Sequence, residues 1–210
     1  MIQSILIISI IALTAITSFL AFNNRVIYGS AIFYPFAVRE RGEWYRFITS
    51  GFIHADIMHL AINMFVLYSF GEILERYYLP ALFGNWAKLF LVFLYFGGMI
   101  AADIPAYFRH RHDATYRALG ASGAVSAVLF AVILIGPFQG SIRLFFLPID
   151  IPPLVFGVLY LLYSAFMARR RMDNVGHEAH LVGALFGFIV PGLFKPELFT
   201  LLFHHIQNRL

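Results

Sequence analysis

Four polar residues whose side chains could carry out acyl-transfer chemistry lie inside long apolar stretches of the sequence. They are Ser122, His180, His59 and Asn63. Such side chains are costly inside a bilayer unless they face the interior of a helix bundle or a water-filled cavity. A serine hydroxyl beside an imidazole is the arrangement of an activated nucleophile, and amide and imidazole N–H groups can stabilise a developing oxyanion. The residue types therefore indicate nucleophilic catalysis, provided that the segments carrying them meet.

His59 and Asn63 are separated by four residues, so both side chains point from one face of a helix. Together with the backbone N–H of Ser122, which is free at a helix N-terminus, they could form an oxyanion hole. The alternative is that the two side chains bond only each other or a neighbouring carbonyl. For an isolated pair, that alternative is the better interpretation.

Small residues follow both proposed reacting groups at helical spacing, which lets two helix backbones approach closely. They are Gly183 and Gly187 after His180, and Gly123, Ala127 and Ala131 after Ser122. A short serine side chain reaches an imidazole on another helix only across such a close contact. The spacing therefore predicts a hydrogen bond between Ser122 and His180. The ordinary alternative is that the serine bonds a preceding carbonyl and that the glycines only pack helices.

The composition is that of an integral membrane protein. Hydrophobic residues make up 60% and charged residues 12% of the 210 residues, and the mean hydropathy is +0.78. The absence of cysteine excludes disulfides, thiolate metal sites and a cysteine nucleophile. In so apolar a chain, a net charge of +4 favours contact with lipid headgroups and gives no reason to expect nucleic acid.

Apolar segments of about 20 residues can span a bilayer as helices. The sequence predicts such spans at 2–22, 57–77, 88–108, 119–136, 153–168 and 178–194. We interpret the first as a retained helix and not as a signal peptide, and expect the fifth to begin near Pro153. The predicted fold is an all-α bundle of six transmembrane helices in a single domain, 1–210, with no separate soluble domain.

The connections between the spans also carry predictions. Residues 23–56 mix aromatic rings with arginine and glutamate, which indicates a structured first loop partly embedded in the headgroup region. Residues 196–210 have an apolar helical face and are predicted to form an interfacial amphipathic helix. Spans two, four and six begin on the same side of the membrane, so their polar residues can share one depth.

These residues together resemble the rhomboid family of intramembrane serine proteases. The resemblance rests on three motifs that occur in the family's order: His59 to Asn63, Gly120-Ala121-Ser122-Gly123, and Ala179-His180 followed by Gly183 and Gly187. It extends to Trp44-Tyr45-Arg46 in the first loop, which has one residue inserted relative to the simpler Trp-Arg form, and to Gly71 to Glu75 at the end of the second span.

The resemblance implies that Ser122 is the nucleophile, His180 the general base, and His59 and Asn63 part of the oxyanion hole. It implies no cofactor and no metal, and a substrate that is itself a transmembrane helix in the lipid bilayer. The family often has an aromatic residue four positions after the serine, which supports the histidine ring; here that residue is Ser126. Either Ser126 bonds the imidazole or another residue packs against it, and His54 is a second candidate supporting residue.

The resemblance further implies a plasma (inner) membrane protein whose active site faces the extracytoplasmic side. The distribution of positive charge disagrees, because lysine and arginine usually concentrate in cytoplasmic loops. The active-site side holds about twice as many: Arg25, Arg39, Arg41, Arg46, Arg109, Arg111, Arg117, Arg169, Arg170 and Arg171, against Arg76, Lys88, Arg143, Lys195 and Arg209. We follow the resemblance.

Two alternatives from other functional classes remain open. His54, His59, His177 and His180 could hold a metal ion or haem, with Asp56 or Glu178 as a further ligand. However, His177 and His180 are three residues apart, whereas the zinc proteases use histidines four apart. The other alternative is a non-catalytic membrane scaffold. The sequence carries no prediction of the oligomeric state.

Overall fold

The structure, a computed structural model, describes residues 4–144, 147–170 and 176–208. Most of these residues are helical. The helices are α1 (Ile5–Asn23), α2 (Arg25–Ala31), α3 (Pro35–Arg41), α4 (Arg46–Thr49), α5 (Ile57–Ile73), α6 (Leu79–Phe83), α7 (Ala87–His110), α8 (Ser122–Ile135), α9 (Pro153–Arg170), α10 (His177–Phe194) and α11 (Glu197–Gln207). One antiparallel hairpin, β1 (Ile142–Leu144) and β2 (Leu147–Ile151), joins α8 to α9.

Each predicted span coincides with a helix, and the protein is an integral membrane protein. Among the described residues, three helical segments are long and apolar enough to cross a bilayer: Ile5–Asn23, Ile57–His110 and His177–Phe194. Helix α8 and the segment 153–169 are apolar but shorter. At 1.5 Å per residue, the 14 residues of α8 extend only about 21 Å, less than the hydrocarbon core. The count of six complete spans therefore stays a prediction.

The long segment Ile57–His110 folds back on itself. Helix α5 continues through a wider turn at Leu74–Tyr78 into α6, and the chain then reverses at Gly84, whose φ of +52° favours glycine. After the reversal, Phe90 of α7 stacks on Phe83 at 4.0 Å between ring centroids. Further along α7, Met99 packs against Gly51, just before α5. The starts of α5, α8 and α10 lie on the same side of the bundle as the end of α7. We call this side the Ser122 end.

Helix α8 forms the centre of the bundle. All its residues from Gly123 to Leu134 are buried, and it packs against α5, α7, α9 and α10. A helix that is apolar on every face is expected to be buried on every face. The helix that begins at Ser122 is therefore the fixed element around which the others are arranged.

The connections agree with part of the prediction. The first loop is structured and contains α2, α3, α4 and a short 3-10 turn. Helix α9 begins at Pro153, as predicted. In the tail, α11 buries Leu198 and exposes Leu201 and Phe203. The depth of these segments in a membrane stays a prediction.

The hairpin β1–β2 was not predicted from the sequence. It carries a polar cluster in which the Asp150 carboxylate accepts hydrogen bonds from Arg143 (Nε, 2.5 Å) and Ser141 (Oγ, 2.7 Å). These bonds lower the pKa of Asp150 to about 2. These bonds join side chains nine and seven residues apart in the sequence, and these two spacings form no periodic pattern. The sequence pattern of this short segment therefore does not indicate them.

Candidate active site

Helices α8 and α10 touch backbone to backbone. A Cβ atom added to Gly183 would overlap with the carbonyl oxygen of Gly123, and one added to Gly187 would overlap with that of Ala127. The glycines at these two positions of α10 are therefore required for the contact. The predicted close approach of the two helices is observed, at the glycines that the sequence singled out.

Ser122 and His180 lie next to this contact. Ser122 is the first residue of α8, immediately before Gly123, and is partly exposed. His180 lies in the first turn of α10, one turn before Gly183, and is also partly exposed. A Cβ at Gly123 would lie 3.7 Å from the carbonyl oxygen of Ala179, the residue before His180. The structure thus brings the two helices together at the neighbours of both side chains.

His59 lies against the loop that precedes the serine. Gly120 has a φ of +114°, and a Cβ built there would lie 2.7 Å from Cε1 and 3.0 Å from Nε2 of the His59 ring. Both the backbone conformation and the space therefore require glycine at this position. The His59 ring consequently faces the backbone two residues before Ser122.

Asn63 is buried on the same helix face as His59, and its Nδ2 donates a hydrogen bond to the His59 carbonyl oxygen at 2.9 Å. This is the local bond that the sequence analysis gave as the alternative to a role in oxyanion binding. A primary amide has two N–H hydrogens, so one such bond accounts for half of its donor capacity.

His54 supports the backbone next to the serine. The fully buried ring accepts a hydrogen bond at Nε2 from the Ala121 N–H (3.3 Å), and its Nδ1 lies 3.1 Å from the Ser18 hydroxyl. Burial, with a smaller contribution from nearby His59, lowers the pKa of His54 to about 3. The ring is therefore neutral at physiological pH, and an Nδ1–H that donates to Ser18 leaves Nε2 as the acceptor.

The first loop forms part of the site, which the sequence did not predict. Phe33 and Ala118 exchange two backbone hydrogen bonds (2.9 and 3.1 Å), and the Gly120 N–H donates to the Ser50 carbonyl oxygen (2.9 Å). With the bond from Ala121 to His54, three positions of the segment before Ser122 are attached to residues 33–54. Because these are mostly main-chain bonds, no side-chain motif announces them.

The Trp44 and Arg46 motif holds this loop together. The buried Arg46 guanidinium donates to the carbonyl oxygens of Gly29 (2.9 Å) and Ile32 (2.7 Å) and pairs with Glu43 at 2.5 Å. Trp44 is exposed over much of its surface and stacks on Phe47. Neither side chain reaches Ser122, so both act through the shape of the loop.

Glu75 fixes a different part of the bundle. Its buried carboxylate accepts hydrogen bonds from the backbone N–H groups of Leu6 and Ile7, both at 2.9 Å. These groups belong to the first turn of α1, where intrahelical partners are lacking. Gly71, one turn earlier in α5, packs against Ile7. The motif in the second span therefore attaches α1 to α5.

An aromatic ring from α9 lies beside the His180 ring. Tyr160 lies nearly parallel to the His180 ring, with 6.2 Å between centroids and 25° between planes. Its hydroxyl hydrogen-bonds the Ser126 hydroxyl at 2.7 Å. Ser126 thus bonds a tyrosine, and the ring of that tyrosine lies beside the imidazole.

We expect the segment 169–177 between α9 and α10 to cap the site, and most of this segment lies outside the described residues. At its described end, Glu178 forms a two-point ion pair with Arg109 of α7, and His177 contacts Tyr163. Within 4–144, 147–170 and 176–208, no three His, Asp or Glu side chains are grouped so that they could bind a metal ion. The alternative of a histidine-ligated metal site has no ligand set in that part of the chain.

Comparison with known proteins identifies the family to which these motifs belong. A family model described as a Rhomboid domain matches residues 41–196. Rhomboid protease GluP of Bacillus subtilis is 29% identical over 159 residues, which cover 76% of this chain and 28% of that protein. RHOMBOID-like protein 12, mitochondrial, of Arabidopsis thaliana is 28% identical over 160 residues, 69% of this chain and 45% of its own length.

A third relative, the mouse presenilin-associated rhomboid-like protein, mitochondrial, is 30% identical over 150 residues, 67% of this chain and 35% of that protein. The chain thus spans half or less of the length of these relatives. Several of them are named as mitochondrial or chloroplastic proteins. These names give no support to the predicted plasma membrane location, so the finding that stands is an integral membrane protein.

Proposed function

The chain belongs to the rhomboid family, and we propose that it is an intramembrane serine endopeptidase in which Ser122 is the nucleophile and His180 the general base. The family includes serine proteases such as GluP. It also includes proteins named only as rhomboid-like, so the proposal must stand on this chain's own residues.

The observation that carries the proposal is the direct backbone contact between α8 and α10 at Gly123 and Gly183. Ser122 immediately precedes one glycine, and His180 precedes the other by one helical turn. A serine side chain is short, so a helix separation of ordinary size would keep its hydroxyl away from an imidazole on another helix. Because the two helices touch beside Ser122 and His180, the distance between the helices does not keep these two side chains apart.

In the proposed reaction, His180 takes the hydroxyl proton of Ser122 while Oγ forms a bond to the carbonyl carbon of a peptide bond. The imidazolium then gives this proton to the leaving nitrogen as the C–N bond breaks, which leaves an acyl-enzyme and a free amine. Water attacks the ester in the second half, with His180 again as base, and releases the carboxylate product and the serine hydroxyl. His180 is neutral again after each half-reaction, and the Ser122 hydroxyl is restored only after the second.

The oxyanion would lie at the start of α8. Here the first backbone N–H groups of the helix lack intrahelical acceptors, and the His59 ring faces Gly120 from the α5 side. We propose that the His59 ring and the second amide hydrogen of Asn63 donate to the same oxygen. Losing a single donor of this kind costs a soluble serine protease about 10²–10³ in turnover.

The substrate class we propose is a transmembrane helix that is cut near one of its ends. Helices α5 and α9 both pack against α8, and we place the lateral path of the substrate to Ser122 between them. A peptide bond within a helix is shielded by its hydrogen bonds. The substrate must therefore unwind locally, and glycine or proline near the cut would lower the cost of unwinding by about 1–3 kcal/mol per residue.

Labelling with a serine-directed fluorophosphonate tests the proposal. In detergent, we expect the wild-type protein to be labelled and the Ser122→Ala and His180→Ala proteins to remain unlabelled. Ser69→Ala is a matched control, because the exposed Ser69 hydroxyl bonds only the Phe65 carbonyl oxygen one turn earlier. Labelling that survives Ser122→Ala would disprove the assignment of the nucleophile, and a wild-type protein without labelling would favour a non-catalytic scaffold.

A further inference from the structure

Tyr160 bridges three helices beside the proposed dyad. Its hydroxyl bonds Ser126 of α8 at 2.7 Å, and its ring lies parallel to that of His180 of α10 at 6.2 Å. The same ring packs against Phe130 of α8 at 5.6 Å between centroids. Ser126 follows Ser122 by one helical turn, so this bridge lies one turn deeper than the proposed nucleophile.

Tyr160 makes two kinds of contact with different effects. The hydrogen bond to Ser126 at 2.7 Å holds the hydroxyl end of the side chain against α8, whereas the packing of Phe130 and His180 against the ring sets its plane. The parallel ring then limits how the imidazole can tilt, since offset stacking at 4.5–7 Å favours nearly parallel planes. Ser126 contributes by being small, because a larger side chain would occupy the space that the tyrosine ring fills.

We propose that Tyr160 is a positioning residue for His180, holding the imidazole in the orientation in which it can accept the Ser122 proton. The inference rests on the proposed function, since it assigns His180 as the base. It adds that the ring supporting His180 comes from α9, whereas the family's aromatic residue four positions after the serine would come from α8. Because α9 borders the lateral path of the substrate, the orientation of the base depends on the same helix that the substrate passes.

The contacts of Tyr160 distinguish the role of its ring from the role of its hydroxyl. The ring lies beside His180, whereas the hydroxyl hydrogen-bonds Ser126. Tyr160→Phe keeps the ring and should slow the reaction only slightly, by no more than about threefold. Tyr160→Leu and Tyr160→Met fill similar space without a planar ring, and a base misplaced by about 1 Å can cost 10²-fold in rate.

The test measures the rate constant of fluorophosphonate labelling and the final labelled fraction, in detergent, between pH 5 and pH 9. A damaged fold lowers the final fraction, whereas a misoriented base lowers the rate constant of the protein that remains folded. We expect Tyr160→Leu and Tyr160→Met to label about 10- to 100-fold more slowly at an unchanged final fraction. Leu162→Ala, which removes an exposed side chain from the same helix, should label like wild type.

A double variant tests the position of the ring independently. Ser126→Phe with Tyr160→Ala moves an aromatic ring from α9 to α8, and we expect it to label faster than Tyr160→Leu. Wild-type rate constants and pH profiles in both ringless variants would overturn the inference and leave the proposed function intact. A Phe variant as slow as the Leu variant would also overturn it. Absence of labelling in the wild-type protein would overturn the proposed function itself.

Discussion

A buried histidine outside the proposed dyad holds the residue next to Ser122. His54 accepts the Ala121 N–H, and this requires a neutral ring, because protonation of Nε2 would replace the acceptor with a donor. The same requirement couples the stability of the fold to pH. Burial of the ring, with a smaller contribution from His59, lowers the pKa of His54 in the folded state to about 3, below the ordinary value of 6.5.

The sign of this coupling follows from the two pKa values. Between pH 6.5 and pH 3 the unfolded chain binds a proton at His54 that the folded chain excludes, so stability falls as the pH is lowered through this range. Each pH unit costs up to about 1.4 kcal/mol per proton. We expect His54→Gln, which offers a neutral acceptor near the position of Nε2, to flatten the dependence of Tm on pH below 6.5 in detergent.

The comparison of slopes decides this prediction, because other histidines titrate in both proteins and cancel. The wild-type Tm should fall more steeply than that of His54→Gln from pH 6.5 to pH 4.5, and the two curves should run parallel above pH 7. Parallel curves across the whole range would mean that the His54 ring is protonated without loss of the native fold.

Residue-level patterns predicted the contact between α8 and α10 but not the aromatic ring beside it. The glycines after His180 lie against α8 as their spacing indicated, because helical periodicity relates sequence directly to position. Tyr160 escaped prediction, since its relation to Ser126 and His180 spans three helices and has no fixed sequence separation. The sequence held one signal for this contact: a short residue, Ser126, in the fourth span and a tyrosine, Tyr160, in the fifth span at a similar depth in the membrane.

At the scale of elements, the packing of α10 on α8 is the contact that every proposed step requires. Gly183→Ala inserts a methyl group toward the Gly123 carbonyl oxygen, which belongs to the backbone and cannot turn aside. The helices must separate, and overpacking of this kind costs about 1–3 kcal/mol. We expect a lower unfolding free energy in a detergent titration and a slower rate of fluorophosphonate labelling.

Gly29→Ala provides a matched control for this prediction. A Cβ at Gly29 of α2 meets no heavy atom within 4 Å, and its backbone is helical. The same chemical change should therefore leave both measurements close to wild type. Equal effects of the two substitutions, or none in either, would show that the α8–α10 contact tolerates a methyl group and is not what holds Ser122 near His180.

The elements were predictable to different degrees for a physical reason. Apolar length predicted where the long helices lie in the sequence, and the position of Pro153 predicted the start of α9. The first loop was expected to be structured, but its bonds from Phe33 and Ser50 to the segment before Ser122 were not expected. Main-chain hydrogen bonds use groups that every residue possesses, so composition cannot indicate which residues they join.

At the scale of the whole molecule, the orientation in the membrane is the prediction on which two arguments disagree. The resemblance directs the Ser122 end away from the cytoplasm, whereas the excess of arginine would turn it inward. Part of that excess is engaged within the fold, since Arg46 is buried against Glu43 and Arg109 pairs with Glu178. A buried arginine bonded to loop carbonyls is a structural group, which lessens the weight of the charge count.

The absence of cysteine allows a direct test of this orientation. Ser30 lies on α2 at the Ser122 end, and Ser141 lies beside the hairpin at the opposite end of α8. Both serines are exposed, and the test replaces each one singly by cysteine (Ser30→Cys, Ser141→Cys). In a bacterial host that carries each variant in its inner membrane, we expect a membrane-impermeant maleimide to modify position 30 in intact cells, and position 141 only after lysis. Both variants should keep wild-type fluorophosphonate labelling, which shows that each is folded. The reverse pattern of modification would mean that the arginine bias sets the topology, and that the proposed active site opens toward the cytoplasm.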